Sequence, residues 1–346
     1  MAMGTWRRTV VVAGLVALAV VAGRDGAVSG EPSGQNVRPD LALPVDCRLG
    51  ETCFIQSYVD VDPGQGVVDY ACGSATYEGH DGTDFRVPSA REARAGVAVL
   101  AAAAGVVKAT RDGMVDQFPT SESRSSIANR ECGNGVVVEH GGGWETQYCH
   151  MRSGSIAVGK GDRVETGTRL GHVGFSGLAE FAHLHFTVRK DGAALDPFLG
   201  APRTAACVKE MDPAQSLWSA AVDGQFRYAN GEILTAAFTG RVPKLETIEE
   251  DGGFVDPRPE SAELVFYTRL MNLRGGDQVR VVATGPEGFA VDSTTKPIER
   301  NKATFLAFGG KRLKAARWAA GTYRGQVQVL RDGRVIAERT GTFEMP

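Results

Sequence analysis

The chain has 346 residues, 42% of them hydrophobic and 23% charged, and this length suggests two domains that can each bury a core. The composition excludes a disordered or fibrous chain, and the net charge of −3 provides no electrostatic footprint for nucleic acid. The 44 glycines, together with only 8% aromatic residues, favour turn-rich β-structure over helix bundles.

The N-terminus has the pattern of a secretory signal peptide. Two arginines precede an uncharged, mostly apolar run from Thr9 to Gly23, and Ala27 and Ser29 form a plausible cleavage pair. The alternative is an uncleaved anchor, but the run is shorter than the roughly 20 apolar residues of a spanning helix. We therefore expect removal of residues 1–29, a periplasmic or secreted mature protein, and no membrane span after the signal has been removed.

All six cysteines lie within the first 207 residues, and residues 208–346 contain neither cysteine nor histidine. An even number of cysteines in an exported chain favours disulfides, and the absence of a CxxC pair argues against a cysteine-based zinc site. The pairing stays open, and Cys47 with Cys53, the closest pair in sequence, is our guess. The uneven distribution of cysteine and histidine indicates a domain boundary.

Residues 30–46 contain Gly, Pro and Asp with little periodicity, which is typical of a linker or an extended arm. Residues 47–207 are dense in glycine and short β-runs. The Ala/Val-rich run Val97–Val107 suits a helix or a buried strand, and its valines and Gly105 favour a strand. Three consecutive glycines after residue 140 predict a hairpin turn. The other predicted strands here are Gly135–His140, Trp144–Cys149 and His183–Val188.

Residues 208–346 show repeated β-runs punctuated by turns, among them Gly275-Gly276, Gly309-Gly310 and Asp332-Gly333. The predicted strands are Ile233–Phe238, Ala262–Leu270, Gln278–Ala283, Tyr323–Leu330 and Val335–Phe343. Several short strands with such punctuation predict an Ig-like β-sandwich. We expect it to be an accessory domain that contacts a protein or the cell wall.

Two short motifs carry side chains suited to bind a metal. His80 and Asp84 lie four residues apart, and the flanking glycines and Pro88 favour a loop that enters a strand rather than a helix. In the HLHFTV strand, His183 and His185 share one face, because alternate side chains of a strand point the same way. Each motif alone is weak evidence for a metal site. Together they supply two imidazoles and one carboxylate, the three protein ligands typical of a catalytic zinc site.

The remaining histidines are predicted to have different roles. His150 ends the predicted hairpin, and it and the unligated member of the HxH pair could orient or deprotonate a water and stabilise an oxyanion. His140 and His172 lie at predicted strand ends or turns, so we interpret both as structural. The aspartates of residues 60–69 lack the full pattern of an EF-hand calcium loop.

The motifs GHDGTDF, YCHM and HLHFTV, in this order, resemble the M23 family of zinc metallopeptidases, the lysostaphin-like or LytM-type enzymes. The resemblance covers about residues 70–200. It implies a lysostaphin-like antiparallel β-sheet fold and zinc-dependent hydrolysis of peptide bonds in bacterial peptidoglycan through a zinc-bound water. It also implies that zinc is bound by His80, Asp84 and His185, and that His150 and His183 are the catalytic histidines.

Two departures from the family pattern stand out. Thr83 occupies a position that is usually aliphatic, and Leu178–Ala182 replaces a Gly/Ser/Thr-rich stretch beside the expected groove. The second departure affects the expected substrate preference rather than zinc binding. The resulting organisation is a mainly β chain with a signal peptide (1–29), a linker (30–46), an M23-type zinc peptidase domain (47–207) and a β-sandwich accessory domain (208–346).

Two other functions agree with parts of the sequence. A non-catalytic M23-fold regulator of cell-wall amidases is the alternative, but such proteins typically lose the metal ligands, and here the complete set is present. A structural or adhesive β-protein would leave the five histidine and aspartate positions unexplained. The sequence therefore predicts a zinc endopeptidase whose partner is peptidoglycan.

Overall fold

The computed structural model describes residue 1 and residues 38–228, 230–253 and 255–346. The predicted signal peptide after Met1 and residues 30–37 of the predicted linker lie outside the described residues. The chain divides into two units, Met1–Gly34 and Gln35–Pro346, and everything below concerns the second. Within the described ranges, no helix has the length and apolar character needed to cross a membrane.

The first half of this unit is built around a nine-stranded antiparallel sheet. Its main path runs β1-β2-β9-β6-β5-β4-β7, β10 pairs with β9 and β11, and β3 and β8 form a separate ribbon. In chain order the elements are β1 (Phe54–Ser57), β2 (Thr83–Arg86), helix α1 (Ala90–Gly96), β3 (Ala98–Leu100), β4 (Gly105–Arg111), helix α2 (Arg124–Ile127), β5 (Asn134–Gly141), β6 (Trp144–Met151), β7 (Arg163–Val164), β8 (Arg169–His172), β9 (His183–Lys190), β10 (Ala193–Asp196), β11 (Ala201–Pro202) and helix α3 (Ala220–Asp223).

The predicted hairpin and the HLHFTV strand are confirmed as β5, β6 and β9. Leu184 and Phe186 of β9 are fully buried in the core, as the alternation predicts. The run Val97–Val107 is not one strand, because β3 pairs with β8 whereas β4 pairs with β5. In the segment between β3 and β4, the backbone N–H of Ala102 donates to the Tyr148 hydroxyl at 2.8 Å. The chain passes from one strand pairing to the other at this point.

Three disulfides cross-link this half: Cys47–Cys53, Cys72–Cys207 and Cys132–Cys149. The guess of Cys47 with Cys53 is confirmed. Leu41 lies beside Trp218 in a parallel bridge, and both side chains are buried in the first hydrophobic core. The predicted boundaries at residues 46 and 207 stay predictions, although this core includes side chains on the far side of each.

The second half is a β-sandwich with its own hydrophobic core. One sheet has the order β12-β13-β16 and the other β15-β14-β17-β18, with all neighbouring strands antiparallel. The elements are β12 (Glu232–Thr239), helix α4 (Leu245–Asp251), β13 (Glu263–Leu273), β14 (Gln278–Gly285), a 3-10 turn (Pro286–Gly288), β15 (Phe289–Thr294), β16 (Lys302–Arg312), β17 (Gly321–Arg331) and β18 (Arg334–Met345). The first, second and fifth strands share one sheet, which is an Ig-like arrangement.

The predicted turn at Gly309-Gly310 is wrong, because both glycines lie inside β16. A Cβ atom on Gly309 would lie 2.6 Å from a methyl carbon of Val291, and one on Gly310 would lie 2.7 Å from the Leu264 carbonyl oxygen. The glycines therefore serve close packing in the sandwich rather than chain reversal. The predicted turn at Asp332-Gly333 is confirmed between β17 and β18.

A buried charge cluster joins the sandwich to the first sheet. Glu249 of α4 lies 2.6 Å from the Arg86 guanidinium of β2 and 3.1 Å from that of Arg269 in β13. Nearby, Gln56 of β1 donates to the Ala303 carbonyl oxygen of β16 at 2.6 Å. The edge of the first sheet that carries β1 and β2 is therefore held by the second half of the chain.

Candidate metal centre

Two adjacent strands and one loop bring the predicted metal ligands together. In the antiparallel pair of β2 and β9, Asp84 lies directly opposite His185, so their side chains emerge on the same face. His80 is in the loop that leads into β2. A Cβ atom at Gly82 would lie 2.6 Å from His185 Nε2, so the residue between the two ligands of the GHDGTD motif must be small.

The three candidate donor atoms lie at nearly equal separations. Asp84 Oδ1 is 3.1 Å from His80 Nε2 and 2.9 Å from His185 Nδ1, and the two nitrogens are 3.1 Å apart. Donors placed 2.0–2.1 Å from a tetrahedral zinc ion lie about 3.3 Å from one another. The residues present therefore fit zinc in both donor chemistry and spacing.

Outer hydrogen bonds select which nitrogen of each ring faces the cluster. His80 Nδ1 is 2.6 Å from the Tyr58 carbonyl oxygen, which can only accept, so Nδ1 carries the proton and Nε2 is left as a ligand. His185 Nε2 lies 3.2 Å from Asp81 Oδ1 and 3.0 Å from Thr187 Oγ1, which leaves Nδ1 toward Asp84. A carboxylate behind a ligating imidazole is a common means of orienting the ring.

Asp81 and its partner Arg189, 3.1 Å away, were missed by the sequence reasoning. Strand alternation is the signal that could have found part of this set, because Thr187 and Arg189 follow His185 on the same face of β9. Asp81 directly follows His80, but only the register between β2 and β9 brings it to His185.

The two remaining predicted residues flank this cluster. The ring centroids of His150 and His183 are 4.6 Å apart, and His183 Nε2 is 3.6 Å from Asp84 Oδ1. Each donates its Nδ1–H to a backbone carbonyl at 2.8 Å, His150 to Ser176 and His183 to Phe181. Their Nε2 atoms are then acceptors. All five predicted site residues are thus brought together, while their individual roles stay predictions.

The backbone of His150 is in the left-handed region, with φ of 59°. This conformation is uncommon for a residue with a side chain and persists where its surroundings enforce it. Here the His150 N–H donates to the Cys132 carbonyl oxygen at 2.8 Å, and the preceding residue, Cys149, is linked by a disulfide to Cys132. The disulfide therefore braces the turn that aims His150 at the cluster.

Burial and charge give these groups distinct protonation states. Burial lowers the pKa of His150 well below its ordinary 6.5 and also lowers that of His183, so both rings are neutral at pH 7. Burial alone would raise the pKa of Asp84, but the neighbouring His80 and His183 rings bring it well below 3.8. The ionised Asp84 thus lies beside the neutral rings of His150 and His183. Burial would lower the pKa of His185, but hydrogen bonds to Asp81 and Asp84 raise it to about 9, so a cation that binds His185 Nδ1 displaces a proton.

Two aromatic rings that the sequence reasoning missed cover the outer histidines. Tyr77 packs on His80 and Phe181 packs on His183, each pair with ring centroids 4.4 Å apart. The Arg86 guanidinium lies 4.6 Å from the centre of the Phe181 ring. Phe181 belongs to Leu178–Ala182, the segment that departs from the family pattern. This segment therefore contributes directly to the wall of the site.

Other polar residues singled out in the sequence support the fold. His140 Nδ1 lies 2.7 Å from the Ala104 carbonyl oxygen, and its Nε2 lies 2.8 Å from Thr146 Oγ1, outside the cluster. The buried Asp60 carboxylate accepts from the Gly79 N–H at 2.9 Å and from the Val68 N–H at 3.2 Å. Asp60 thereby anchors the loop immediately before His80.

The antiparallel β-fold and this cluster define a mainly β protein with a metal-type site of two imidazoles and one carboxylate. Residues 78–197, about a third of the chain, match the model of Peptidase family M23. The resemblance to this family seen in the sequence is thereby confirmed for this segment.

Curated relatives match the same region of the chain. The chain is 29% identical over 136 residues to "Peptidoglycan DD-endopeptidase ShyA" of Vibrio cholerae, covering 39% of this chain and 26% of that protein. It is 31% identical over 134 residues to "Cell division protein DipM" of Caulobacter vibrioides, covering 37% of this chain and 18% of that protein. The matched region thus spans about a quarter or less of these relatives.

Similar solved structures include the catalytic domain of the antimicrobial peptidase lysostaphin from Staphylococcus simulans. It is 24% identical, with 39% of this chain and 85% of that chain covered and a TM-score of 0.26. A zinc containing peptidase from Vibrio cholerae is 23% identical, with 46% of this chain and 41% of that chain covered and a TM-score of 0.27.

Proposed function

We propose that this chain is a zinc-dependent endopeptidase that hydrolyses peptide bonds in bacterial peptidoglycan. The observation that carries the proposal is the convergence of three metal-type donor atoms and two neutral imidazoles on one face of β2, β6 and β9. The substrate class comes from the name of the ShyA relative. Three disulfides suit an oxidising compartment outside the cytoplasm, where peptidoglycan lies.

His80, Asp84 and His185 are the residues that would hold zinc. When bound, zinc supplies a Lewis acid and lowers the pKa of a water in its open position to about 7. The protein prepares for this by fixing the tautomers of His80 and His185 through the Tyr58 carbonyl and Asp81. Because Asp84 is ionised, it contributes a full negative charge to the site.

His150 and His183 would move the protons. Each has its Nδ1–H bound to a backbone carbonyl, so the basic Nε2 is the atom available to the reactants. A neutral Nε2 can take a proton from the attacking water and afterwards donate it to the leaving amine. An imidazolium formed in this way would also stabilise the oxyanion of the tetrahedral intermediate. Because the His150 and His183 rings lie side by side, one can transfer the proton while the other stabilises the oxyanion.

The test uses the protein purified after export, its N-terminus determined by mass spectrometry, and incubated with isolated sacculi. We expect soluble peptide-containing fragments that disappear with a zinc chelator and return with added zinc, and their masses identify the bond cut. His172→Gln is a matched control, because this histidine lies outside the cluster. Absence of fragments from folded, zinc-loaded protein would contradict the proposal and favour the non-catalytic regulator.

A further inference from the structure

A long stretch of the second half is strongly basic although the whole chain has a net charge of −3. Residues 300–331 contain eight lysines and arginines and no aspartate or glutamate. They cover β16, β17 and the loop between them. This charge is not needed for the sandwich core, which is built from apolar side chains. Arg331 pairs with Asp277 at 2.7 Å, so the excess positive charge lies in the rest of the stretch, where it can attract an anionic partner.

Four of these cations line one cavity at an end of the sandwich. The cavity has a volume of about 430 Å³ and lies between the 3-10 turn Pro286–Gly288 and the loop that follows β16. Among its lining residues the acidic side chain is Glu287, so the ionised groups sum to a charge of about +3 at neutral pH. The cationic lining residues are Lys311, Arg312, Lys314 and Arg317.

Acidic side chains of the protein do little to neutralise these four cations. Arg312 Nε is 3.8 Å from Glu263 Oε1, a long and solvent-exposed contact that contributes little. Lys311 lies 5.6 Å from the centre of the Phe289 ring, which leaves its charge in place. Within the described ranges, Lys314 and Arg317 have no acidic partner within ion-pair distance. Like charges gathered around a concavity raise its positive potential and concentrate anions there.

Aromatic rings form the floor of the cavity, and their polar groups already have hydrogen-bond partners within the protein. Trp318 donates its indole N–H to the Ser261 carbonyl oxygen at 2.8 Å, and Tyr323 donates its hydroxyl to the Ala319 carbonyl oxygen at 3.0 Å. Phe289, Trp318 and Tyr323 are at most 9% exposed, so the rings of the cavity floor do not protrude far enough to enter a bilayer. A cationic rim around a cavity without protruding rings suits oxyanions carried on a sugar better than a lipid surface.

The cavity is also distant from the candidate metal centre. Ala303, at the start of β16, is the residue that contacts Gln56 beside the metal-bearing strand. Lys311 lies eight residues further along the same strand, which at about 3.3 Å per residue places it about 26 Å from Ala303. A ligand bound here therefore would not be the peptide under attack but a second attachment point.

We propose that this cavity binds an anionic saccharide polymer of the cell envelope through phosphate or carboxylate groups on its sugars. Lys311, Lys314 and Arg317 bind the oxyanions at the rim of the cavity. The attachment holds the second half of the chain to the wall and is independent of zinc and of hydrolysis.

The test is co-sedimentation of the full exported protein with isolated sacculi, in chelator so that hydrolysis plays no part. We expect binding that weakens as salt rises and that falls about 30-fold in Lys314→Gln/Arg317→Gln. The matched control is Lys296→Gln/Arg300→Gln, which removes two exposed cations outside the cavity and should bind as the wild type does. Circular dichroism checks that both variants are folded.

Two further samples identify the source of the oxyanions. Loss of binding after hydrofluoric acid has removed phosphodiester-linked polymers assigns the site to phosphate, and retained binding assigns it to sugar carboxylates that this treatment leaves in place. The proposal is overturned if the cavity variant binds as tightly as the wild type, or if both double variants weaken equally. It is also overturned if the protein binds phosphatidylglycerol vesicles but not sacculi.

Discussion

Replacing Glu249 by Gln removes the one carboxylate shared by two buried guanidiniums. Arg86 is completely buried and Arg269 is 1% exposed, so neither can turn to water without unpacking. Burial, and secondarily the neighbouring Arg86, lowers the pKa of Arg269 to about 10, so Arg269 remains cationic at pH 7. The variant therefore leaves two like charges side by side in the interior.

The expected cost can be worked from the contact distances. Charge centres about 4 Å apart interact by about 4 kcal/mol at an effective dielectric constant of 20, and Glu249 has two such partners. Avoided desolvation of the carboxylate offsets several kcal/mol of this sum. Breaking a buried pair by removing one partner generally costs about 3–5 kcal/mol, and we expect Glu249→Gln to fall within that range.

Glu250→Gln is the matched control, because this neighbour on α4 pairs with Arg94 at the surface. Exposed pairs contribute about 0–1 kcal/mol, so the control should stay close to the wild type. Urea denaturation measures both free energies of unfolding. A loss below about 1 kcal/mol in Glu249→Gln, or equal losses in the two variants, would refute the argument that this cluster joins the sandwich to the first sheet.

Three further predictions concern the site and its support. Asp81→Ala should weaken zinc binding about 10- to 100-fold by removing the carboxylate that orients His185 Nε2, as measured by chelator competition; unchanged affinity would remove Asp81 from the site. Cys132→Ser/Cys149→Ser should lower the free energy of unfolding by about 3 kcal/mol in thermal or urea denaturation, and a stable double variant would contradict this. Burial raises the pKa of Asp196 to about 7 from 3.8, so the folded state holds a proton that the unfolded state releases, and stability falls by up to about 4 kcal/mol as pH rises from 4 to 7. Asp196→Asn should flatten that slope in unfolding measurements at pH 4.5 and 7.5, and an unchanged slope would place its cause elsewhere.

The parts of the site that follow local periodicity could be predicted from the sequence. His183 and His185 share a face because side chains alternate along a strand, and the same alternation predicts that Leu184 and Phe186 are buried, as they are. The hairpin of β5 and β6 followed from its glycines. These features depend on neighbours within a few residues, so one strand or one turn is enough to determine them.

Features that depend on the packing of distant segments escaped prediction. Glu249 meets Arg86 across 163 positions of sequence, and no local pattern marks that pairing. Gly309 and Gly310 have the composition of a turn, yet close contacts between strands of the sandwich require them inside β16. Tyr77 and Phe181 cover histidines from two different loops, so their proximity follows from the assembled sheet alone.

The most direct test of the account compares the wild type with His150→Ala at matched zinc content on the same sacculi. Because His150 lies beside the donor cluster without belonging to it, the variant should keep its zinc. Loss of an acid–base group should slow fragment release by at least about 100-fold. A zinc-loaded His150→Ala protein that releases fragments at the wild-type rate would contradict the proposed division of roles between metal ligands and catalytic histidines.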